Sequence, residues 1–238
     1  RGCAAANRPA RVVSGGMLTG VNAGRGQPLV RVCNPDDHLW TPTVGEGLDE
    51  VRVVSGHGED AATPMHVARL CAQDAPRYRE LMLEAYVQAA DAFTSTADER
   101  AALPLAWWVE RIASAQGLSQ AFGAFRGEQL VGAVALQYSA KPKTRHAAQL
   151  VGMYVRPAAR REGVGRRLLQ AATAAATGRA RLRLLQLTVT DGNERARRLY
   201  EAAGFVAWGI EPMAVRTTAG FAGKVHMSMR LRATDAAA

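Results

Sequence analysis

The sequence predicts an α/β protein in which helices flank a mixed β-sheet. Three segments indicate this class: an apolar strand-length run at 148–155, a helix at 163–177 that follows a glycine-containing turn, and a second apolar run at 182–190. A strand, a crossover helix and a parallel strand in series form a right-handed unit with its ligand at the carboxyl ends of the strands. We therefore expect a ligand site just after residue 155.

The elements that precede this unit are predicted from local signals. Residues 65–70 are a predicted strand, and a helix follows because Asp74 is a suitable N-cap and Pro76 would lie in its first turn. The apolar face of this helix is expected to comprise Tyr78, Leu81, Met82, Ala85, Tyr86 and Ala89. Residues 93–96 are a predicted loop, and Pro104 is expected to begin a helix with three inward-facing side chains: Leu105, Trp108 and Ile112.

The remaining strands are predicted as hairpins and closing strands. Segments 121–125 and 130–138 flank an Arg-Gly-Glu turn and are expected to pair as a hairpin. A helix over 194–203 and two closing strands, near 205–210 and 225–232, complete the expected sheet.

A basic turn with two glycines follows the strand at 148–155, with the spacing Arg160-x-x-Gly163-x-Gly165. Backbone N–H groups at a helix N-terminus lack intrahelical partners and carry the positive end of the helix dipole, so they can hold phosphate. The turn lacks the Gly-Lys-Ser/Thr ending of a Walker loop, and no Gly-x-Gly-x-x-Gly follows an early strand. It indicates a phosphate site of another kind, the alternative being a plain connection between strand and helix.

A second motif, Asn193-x-x-Ala196-x-x-x-Tyr200-x-x-x-Gly204-Phe205, lies on the next predicted helix. Apolar residues recur there at intervals of three and four, and Gly204 is a suitable residue to end the helix. Taken alone, the pattern would make Tyr200 an aromatic residue of the core. Its position after the phosphate turn favours a functional role instead.

Together the two motifs resemble the GNAT superfamily of acyl-CoA-dependent N-acyltransferases, whose signature is (Gln/Arg)-x-x-Gly-x-(Gly/Ala). The resemblance covers residues 65–232 and implies a GNAT domain over 64–232, followed by a short tail at 233–238. It implies a mixed sheet splayed between its fourth and fifth strands, with the acyl carrier in the gap. It further implies an enzyme that transfers the acetyl group of acetyl-CoA to an amine by direct attack, without a metal.

The resemblance also implies roles for individual residues. The pyrophosphate of the carrier would bind mainly to main-chain N–H groups of the turn, at Arg160, Arg161, Glu162, Gly163, Val164, Gly165 and Arg166. Met153 and Val155 would run beside the pantetheine arm, and Asn193 would bind or orient the carrier. Tyr200 would donate a proton to the departing thiolate. The chain departs from the usual pattern, Gly-Arg or Gly-Lys, at Arg161 and Glu162, which places a carboxylate near the phosphate.

The acceptor amine must lose a proton before it attacks, and the sequence leaves the base open. His146 is the main candidate because histidine titrates in the right range; the others are Glu84, Glu211 and His226. The alternative for each is a solvated or structurally paired side chain. Residues 91–96 lie where acceptor sites are commonly built in this superfamily, and they form either a pocket wall or a plain loop.

The expected acceptor is a small-molecule amine. Two alternatives stay open: a peptide or protein acceptor, acetylated at its N-terminus or at lysine, and a noncatalytic acyl-CoA-binding module. The presence of Tyr200 argues against the noncatalytic module.

Composition argues against other partners. The net charge is +9, but residues 1–63 hold six Arg against seven acidic residues, so the basic surplus lies in the predicted catalytic part. Only three residues are Lys and no aromatic residues interleave with the arginines, so nucleic acid is not the expected partner. No run of about 18 apolar residues predicts a membrane span. The three scattered cysteines imply neither a disulfide framework nor a zinc site, and a cytoplasmic location is expected.

The first 63 residues have a different character. They contain ten Gly and four Pro, with no sustained periodicity. We expect residues 1–63 to be a disordered or non-native N-terminal extension, with Met65 as the start of the functional protein.

Overall fold

The computed structural model describes residues 64–231, which form a seven-stranded mixed β-sheet flanked by helices and confirm the predicted fold class. The order across the sheet is β1-β2-β3-β4-β5-β7-β6, and only β4 and β5 pair in parallel. The strands are β1 (Met65–Arg69), β2 (Ser119–Arg126), β3 (Gln129–Tyr138), β4 (Ala147–Val155), β5 (Leu184–Thr190), β6 (Val206–Thr217) and β7 (Gly220–Arg230).

Helices cover both faces of the sheet and create two apolar cores. They are α1 (Ala75–Gln88), α2 (Ala97–Ala101), α3 (Leu105–Ile112), α4 (Val164–Thr177) and α5 (Glu194–Ala202). One core buries Tyr78 of α1 and Trp108 of α3 against β2 and β3. The other buries Leu168 of α4 and Tyr200 of α5 against the central strands. The longer helices α1, α3, α4 and α5 follow their apolar periodicity, because the apolar face of each must leave water.

The parallel contact between β4 and β5 is short. Three residue pairs join the strands, from Ala147–Leu184 to Gln149–Gln186, and the two glutamine side chains are hydrogen bonded at 3.2 Å. Beyond Gln149 the strands diverge. Gly152, with φ of +62°, lies where β4 shifts register against β3, and such a bulge bends a strand. The sheet is therefore open between its fourth and fifth strands, as predicted.

Two side-chain predictions for the elements before β2 need correction. Asp74 occupies the N-cap position of α1, as predicted, but its side chain forms no capping hydrogen bond with that helix; the carboxylate instead accepts a hydrogen bond of 2.9 Å from the backbone N–H of Cys71, within a preceding 3₁₀ turn. Leu105 is 48% exposed because it begins α3, where its side chain lies outside the contact between this helix and the sheet.

One helix is absent from the prediction, and one hairpin differs from it in extent. Helix α2 follows the predicted loop at 93–96 and has only five residues, too few to show apolar periodicity. The closing hairpin is longer than predicted, because β6 continues to Thr217 and β7 begins at Gly220. A register shift between Glu211 and Val215, with Met213 at φ of +52°, interrupts the alternation by which sequence reveals a strand.

The predictions for residues 1–63 and 233–238, and for the end of the last strand at 232, lie outside the described residues. Within residues 64–231, none of the helices combines the length and the apolar character that crossing a membrane requires.

Candidate active site

The turn between β4 and α4 presents main-chain donors at the helix N-terminus. Gly163 occupies the N-cap position with φ of +75°, and no side chain caps the helix. A Cβ built on Gly163 would have only the guanidinium of Arg166 within 4 Å, at 3.9 Å. The backbone at this end of α4 is therefore approachable, and its unpaired N–H groups can donate to an anion.

The second glycine of the motif has a different role. A Cβ on Gly165 would lie 3.2 Å from the Leu199 side chain of α5, so that side chain would have to shift by a few tenths of an ångström to accept it. The motif thus combines one glycine that sets the backbone of the turn with one that lies against the Leu199 side chain.

Arg161 occupies the place where the family pattern usually has glycine. Its φ of +71° is left-handed, which costs a non-glycine residue about 1–2 kcal/mol. The side chain of Arg161 is exposed. The turn therefore keeps the glycine-like backbone and adds a cation to it.

Around the turn, the carboxylate of Glu162 is neutralised by a neighbouring arginine. Glu162 accepts two hydrogen bonds from Arg126, at 2.7 and 2.6 Å, so its carboxylate is balanced by a cation. The Nε of Arg160 donates to the carbonyl of Val155 at 2.9 Å and ties the turn to the end of β4. Arg156 is paired with α1, at Glu84 and Glu80.

A cavity of about 190 Å³ occupies the gap between β4 and β5. Its walls come from both faces of the sheet, from the 92–95 segment, and from β7. The lining residues are Tyr86, Ala92, Phe93, Thr94, Ser95, Arg100, Arg111, Leu150, Val151, Gly152, Met153, Thr188, Val189, Thr190, Asn193, Ala196, Tyr200 and Lys224. The cavity therefore brings together Met153, Asn193 and Tyr200 from the sequence prediction. Residues 92–95 of the uncertain 91–96 segment form part of its wall.

Two of these predicted residues belong to α5. The side chain of Asn193 caps the helix, its Oδ1 accepting from the N–H of Ala196 at 3.2 Å. Tyr200 is 6% exposed and its ring packs edge-to-face on Phe205. Burial raises the pKa of the Tyr200 hydroxyl, so this group stays protonated throughout the neutral range.

Lys224 of β7 is a cavity residue that the sequence did not single out. It is 6% exposed, and its Nζ donates to Thr190 Oγ1 at 3.0 Å. The Thr190 hydroxyl in turn donates to the carbonyl of Asp91 at 2.8 Å, which leaves it free to accept from the lysine. Burial lowers the pKa of Lys224, with Glu211 acting in the opposite direction.

Two arginines on the α1 side of the cavity were also missed by the sequence analysis. Arg100 lies with its Cζ 4.7 Å from the centre of the Trp107 ring, and Arg111 lies 5.4 Å from the same ring. Neither forms an ion pair with a carboxylate within residues 64–231.

The other candidate bases lie outside the cavity lining. His146 is exposed and precedes β4, so the nine residues of that strand, about 30 Å when extended, separate it from the turn. The structure does not bring His146 to the other predicted residues. Glu84 is bound by Arg156 and by the Tyr154 hydroxyl, at 2.8 and 3.1 Å. Glu211 and His226 pair with each other at 3.2 Å.

No cluster of His, Cys, Asp or Glu suited to holding a metal ion occurs in the described part of the chain.

The protein combines a splayed sheet, a glycine-containing turn and a cavity in the gap. Comparison with known proteins identifies the family to which it belongs. The sequence model of the acetyltransferase (GNAT) family matches residues 78–205. The protein is an acetyltransferase and belongs to the GNAT family. Acetyl-CoA-dependent acetyl transfer is the activity that this membership implies.

Solved structures share the fold. A GCN5-related N-acetyltransferase from Kribbella flavida has 26% identity and a TM-score of 0.60, over 70% of this chain and 98% of its own. The yncA protein of Salmonella typhimurium, solved with its cofactor acetyl-CoA, has 20% identity and a TM-score of 0.60, over 74% and 98%. The ribosomal-protein-S18-alanine N-acetyltransferase of Escherichia coli has 19% identity and a TM-score of 0.56, over 74% and 99%. No curated protein sequence matches the chain.

Proposed function

We propose that this protein transfers the acetyl group of acetyl-CoA to a primary amine of a small molecule, by direct attack in a ternary complex. The observation that carries the proposal is the cavity between β4 and β5, which is lined both by the predicted carrier residues Met153 and Asn193 and by polar side chains from separate elements. One continuous space would let donor and acceptor meet without a covalent enzyme intermediate.

The residues of the turn and of β4 would hold the carrier. Main-chain N–H groups from Arg161 to Arg166 would bind the pyrophosphate, supported by the exposed side chains of Arg161 and Arg166. The N–H of Arg160, included in the sequence prediction, instead donates to the carbonyl of Pro157 at 3.2 Å. Met153 and Val155 would flank the pantetheine arm, because β4 has no strand partner on its β5 side beyond Gln149. A main-chain N–H of this open edge would stabilise negative charge developing on the thioester oxygen.

Tyr200 would protonate the departing thiolate. A phenol with a raised pKa is fully protonated before the reaction, and the donation is directed because Tyr200 is held by its contact with Phe205. Asn193 would fix the carrier near the start of α5, where it lines the cavity.

The size of the cavity supports a small acceptor. At about 190 Å³ it is smaller than the range of about 300–1,000 Å³ typical of pockets for drug-sized ligands. A peptide acceptor would need a groove beside its backbone, and the 92–95 segment instead lines the space between β4 and β5.

Lys224 is our proposed proton acceptor for the attacking amine, in place of His146. It lines the cavity, and the hydrogen bond to Thr190 orients its amine without neutralising it by a carboxylate. A lysine whose pKa is lowered by burial has a larger neutral fraction near neutral pH, and only the neutral form can accept a proton.

The charge state of Lys224 makes a testable prediction about stability. Because its pKa is lowered in the folded protein, the unfolded chain binds this proton at higher pH than the folded chain does. The free energy of unfolding should therefore rise with pH, from the folded-state pKa up to about 10.4, the ordinary value for lysine. In Lys224→Met this rise should disappear, which urea unfolding of both proteins between pH 7 and 10 would measure. Identical pH slopes would contradict a lowered pKa.

The function itself is tested by calorimetry with acetyl-CoA, followed by thiol release with a panel of small amines and short peptides. Binding with thiol release for small amines supports the proposal. Release with peptides only would establish a protein acetyltransferase, and binding without release for either would favour the noncatalytic module. No binding would refute the assignment of the carrier site. The cytoplasmic location stays a prediction.

A further inference from the structure

The acceptor side of the cavity has an unusual charge. Among the lining residues of the cavity, all within the described part of the chain, two are arginines and none is Asp or Glu. The arginines are Arg100 and Arg111, and both stay charged, whereas Lys224 is the proposed neutral base. Such a space raises the local concentration of anions and repels polycations.

Arg100 is held in place, yet part of its hydrogen-bonding capacity is unused. Its Nη2 donates to Ser95 Oγ at 2.8 Å, and its guanidinium lies over Trp107 and Tyr86 at 4.7 and 5.9 Å from the ring centres. The Nε of Arg100 is buried and has no hydrogen-bond partner. A buried donor without an acceptor is costly, so this guanidinium is suited to a group that would supply one.

Arg111 lies near the bulge of β4 at Gly152. It approaches Tyr78 closely enough to oppose the effect of burial, which raises the pKa of that hydroxyl to about 12. The same hydroxyl lies 3.3 Å from the position of a Cβ on Gly152, the bulged residue of β4. Arg111 therefore lies on the α3 side of the point where β4 opens.

Neighbouring acids do not neutralise the two arginines. Glu99 uses its carboxylate to accept from the backbone N–H of Thr96, and Glu110 accepts from Ser114. Asp91 accepts from the backbone and the hydroxyl of Thr218, at 3.1 and 3.0 Å.

We propose that Arg100 and Arg111 bind an anionic group of the acceptor, so that the substrate is an amine that also carries a carboxylate or a phosphonate. The proposal rests on the function proposed above and specifies its substrate class. A guanidinium fork matches the geometry of either oxyanion, and its hydrogen bonds to an ionised partner are among the stronger ones in proteins. Polyamines and other polycationic amines are poor acceptors on the same grounds.

The test compares matched amines. Steady-state thiol release is measured for a series of α-amino acids, their carboxamides and the corresponding 1-aminoalkylphosphonates. We expect kcat/KM to be at least about tenfold higher for an anionic amine than for its carboxamide, as a charge-assisted hydrogen bond implies. The two anionic series then show whether the site takes a carboxylate, a phosphonate or both. Equal or better use of the carboxamides would overturn the anion site while leaving the acetyltransferase proposal standing.

Substitution of Arg100 and Arg111 tests whether these residues cause the preference for anionic amines. Arg111→Gln and Arg100→Gln should each raise KM for the anionic amine by about 10- to 100-fold, with kcat/KM for the carboxamide within about threefold. Arg179→Gln is the matched control, because Arg179 also stacks on an aromatic ring, that of Tyr138 at 3.7 Å, but lies outside the cavity lining. Unchanged acetyl-CoA affinity would show that each variant is folded. If the preference for the anionic amine over its carboxamide persisted in both Arg100→Gln and Arg111→Gln, the assignment of the anion site would be contradicted.

A binding measurement decides the case in which no amine in the series reacts. Calorimetry with coenzyme A present would then compare N-acetylamino acids with their carboxamides. Tighter binding of the anionic form, lost in Arg111→Gln, supports the anion site, and equal binding overturns it. The absence of turnover would count against the small-amine acceptor alone.

Discussion

Replacing Tyr200 with Phe is expected to lower kcat by about 100-fold or more, the usual contribution of a positioned proton donor. The substitution removes only the hydroxyl and keeps the buried ring packed on Phe205, so the fold should be unaffected. Acetyl-CoA affinity should stay within about twofold, because the hydroxyl would act on the thiolate only as it departs.

The measurement is single-turnover thiol release alongside calorimetry with acetyl-CoA. Tyr138→Phe provides the control: its hydroxyl accepts a hydrogen bond from Gln120, and the residue lies outside the cavity lining. If Tyr200→Phe and Tyr138→Phe turned over at the same rate, Tyr200 would have no part in the proton transfer. A loss of acetyl-CoA affinity in Tyr200→Phe would instead indicate a role in binding.

Replacing Gly163 with Ala should weaken acetyl-CoA binding by at least about tenfold. An alanine at φ of +75° is strained by about 1–2 kcal/mol, and relief of that strain would turn the N–H groups of the turn away from the phosphates. Because space around Gly163 is open, the effect should come from the backbone conformation and not from steric contact inside the protein.

Gly117→Ala separates this effect from general destabilisation. Gly117 also has a left-handed φ, of +67°, and an added Cβ would meet only the Arg179 side chain, at an ordinary 3.5 Å. Both variants should lose a similar amount of unfolding free energy in urea, whereas only Gly163→Ala should lose affinity in calorimetry. Equal affinity in both variants would show that the turn does not hold the carrier.

The fold elements of the proposed carrier side could be predicted from sequence because their signals are local. The turn and the adjoining helix are continuous in the chain, and Gly163 is required by a single backbone conformation. The predicted splay follows from the same unit, since β4 and β5 flank α4. These elements are specified by neighbours in sequence, which is what periodicity and motif spacing report.

The proposed acceptor side could not be predicted, because separate elements bring its residues together. Strand β7 inserts between β5 and β6, which places Lys224 opposite Thr190. Alternation with the buried Val225 and Met227 assigns Lys224 to the other face of the strand, where a lysine is expected to be exposed. That face is covered at this point by the segment around Asp91, which Thr190 contacts. Burial of Lys224 thus depends on a contact between residues 99 positions apart.

Helix α2 shows a signal that sequence reasoning could have used. Thr96 and Glu99 form a reciprocal capping box, the spacing that marks a helix start even when the helix is too short for periodicity. Recognising it would have placed Arg100 on a helix beside the 92–95 segment. No comparable sequence motif singles out Arg111, because its position in α3 does not by itself indicate that it lines a cavity.

The division of the cavity between two stretches of chain has a consequence for how such a protein diversifies. Most of the residues proposed to face the acceptor fall within 86–111, whereas the turn and α5, which are proposed to face the carrier, fall within 160–202. Under the proposed function, substitutions in the earlier stretch are expected to change which amine is accepted without altering the residues that bind the donor. During evolution, the sequence of the first stretch would vary with the available substrate while that of the second is retained. Exchanging residues 86–111 between relatives would be the corresponding route to a redesigned enzyme.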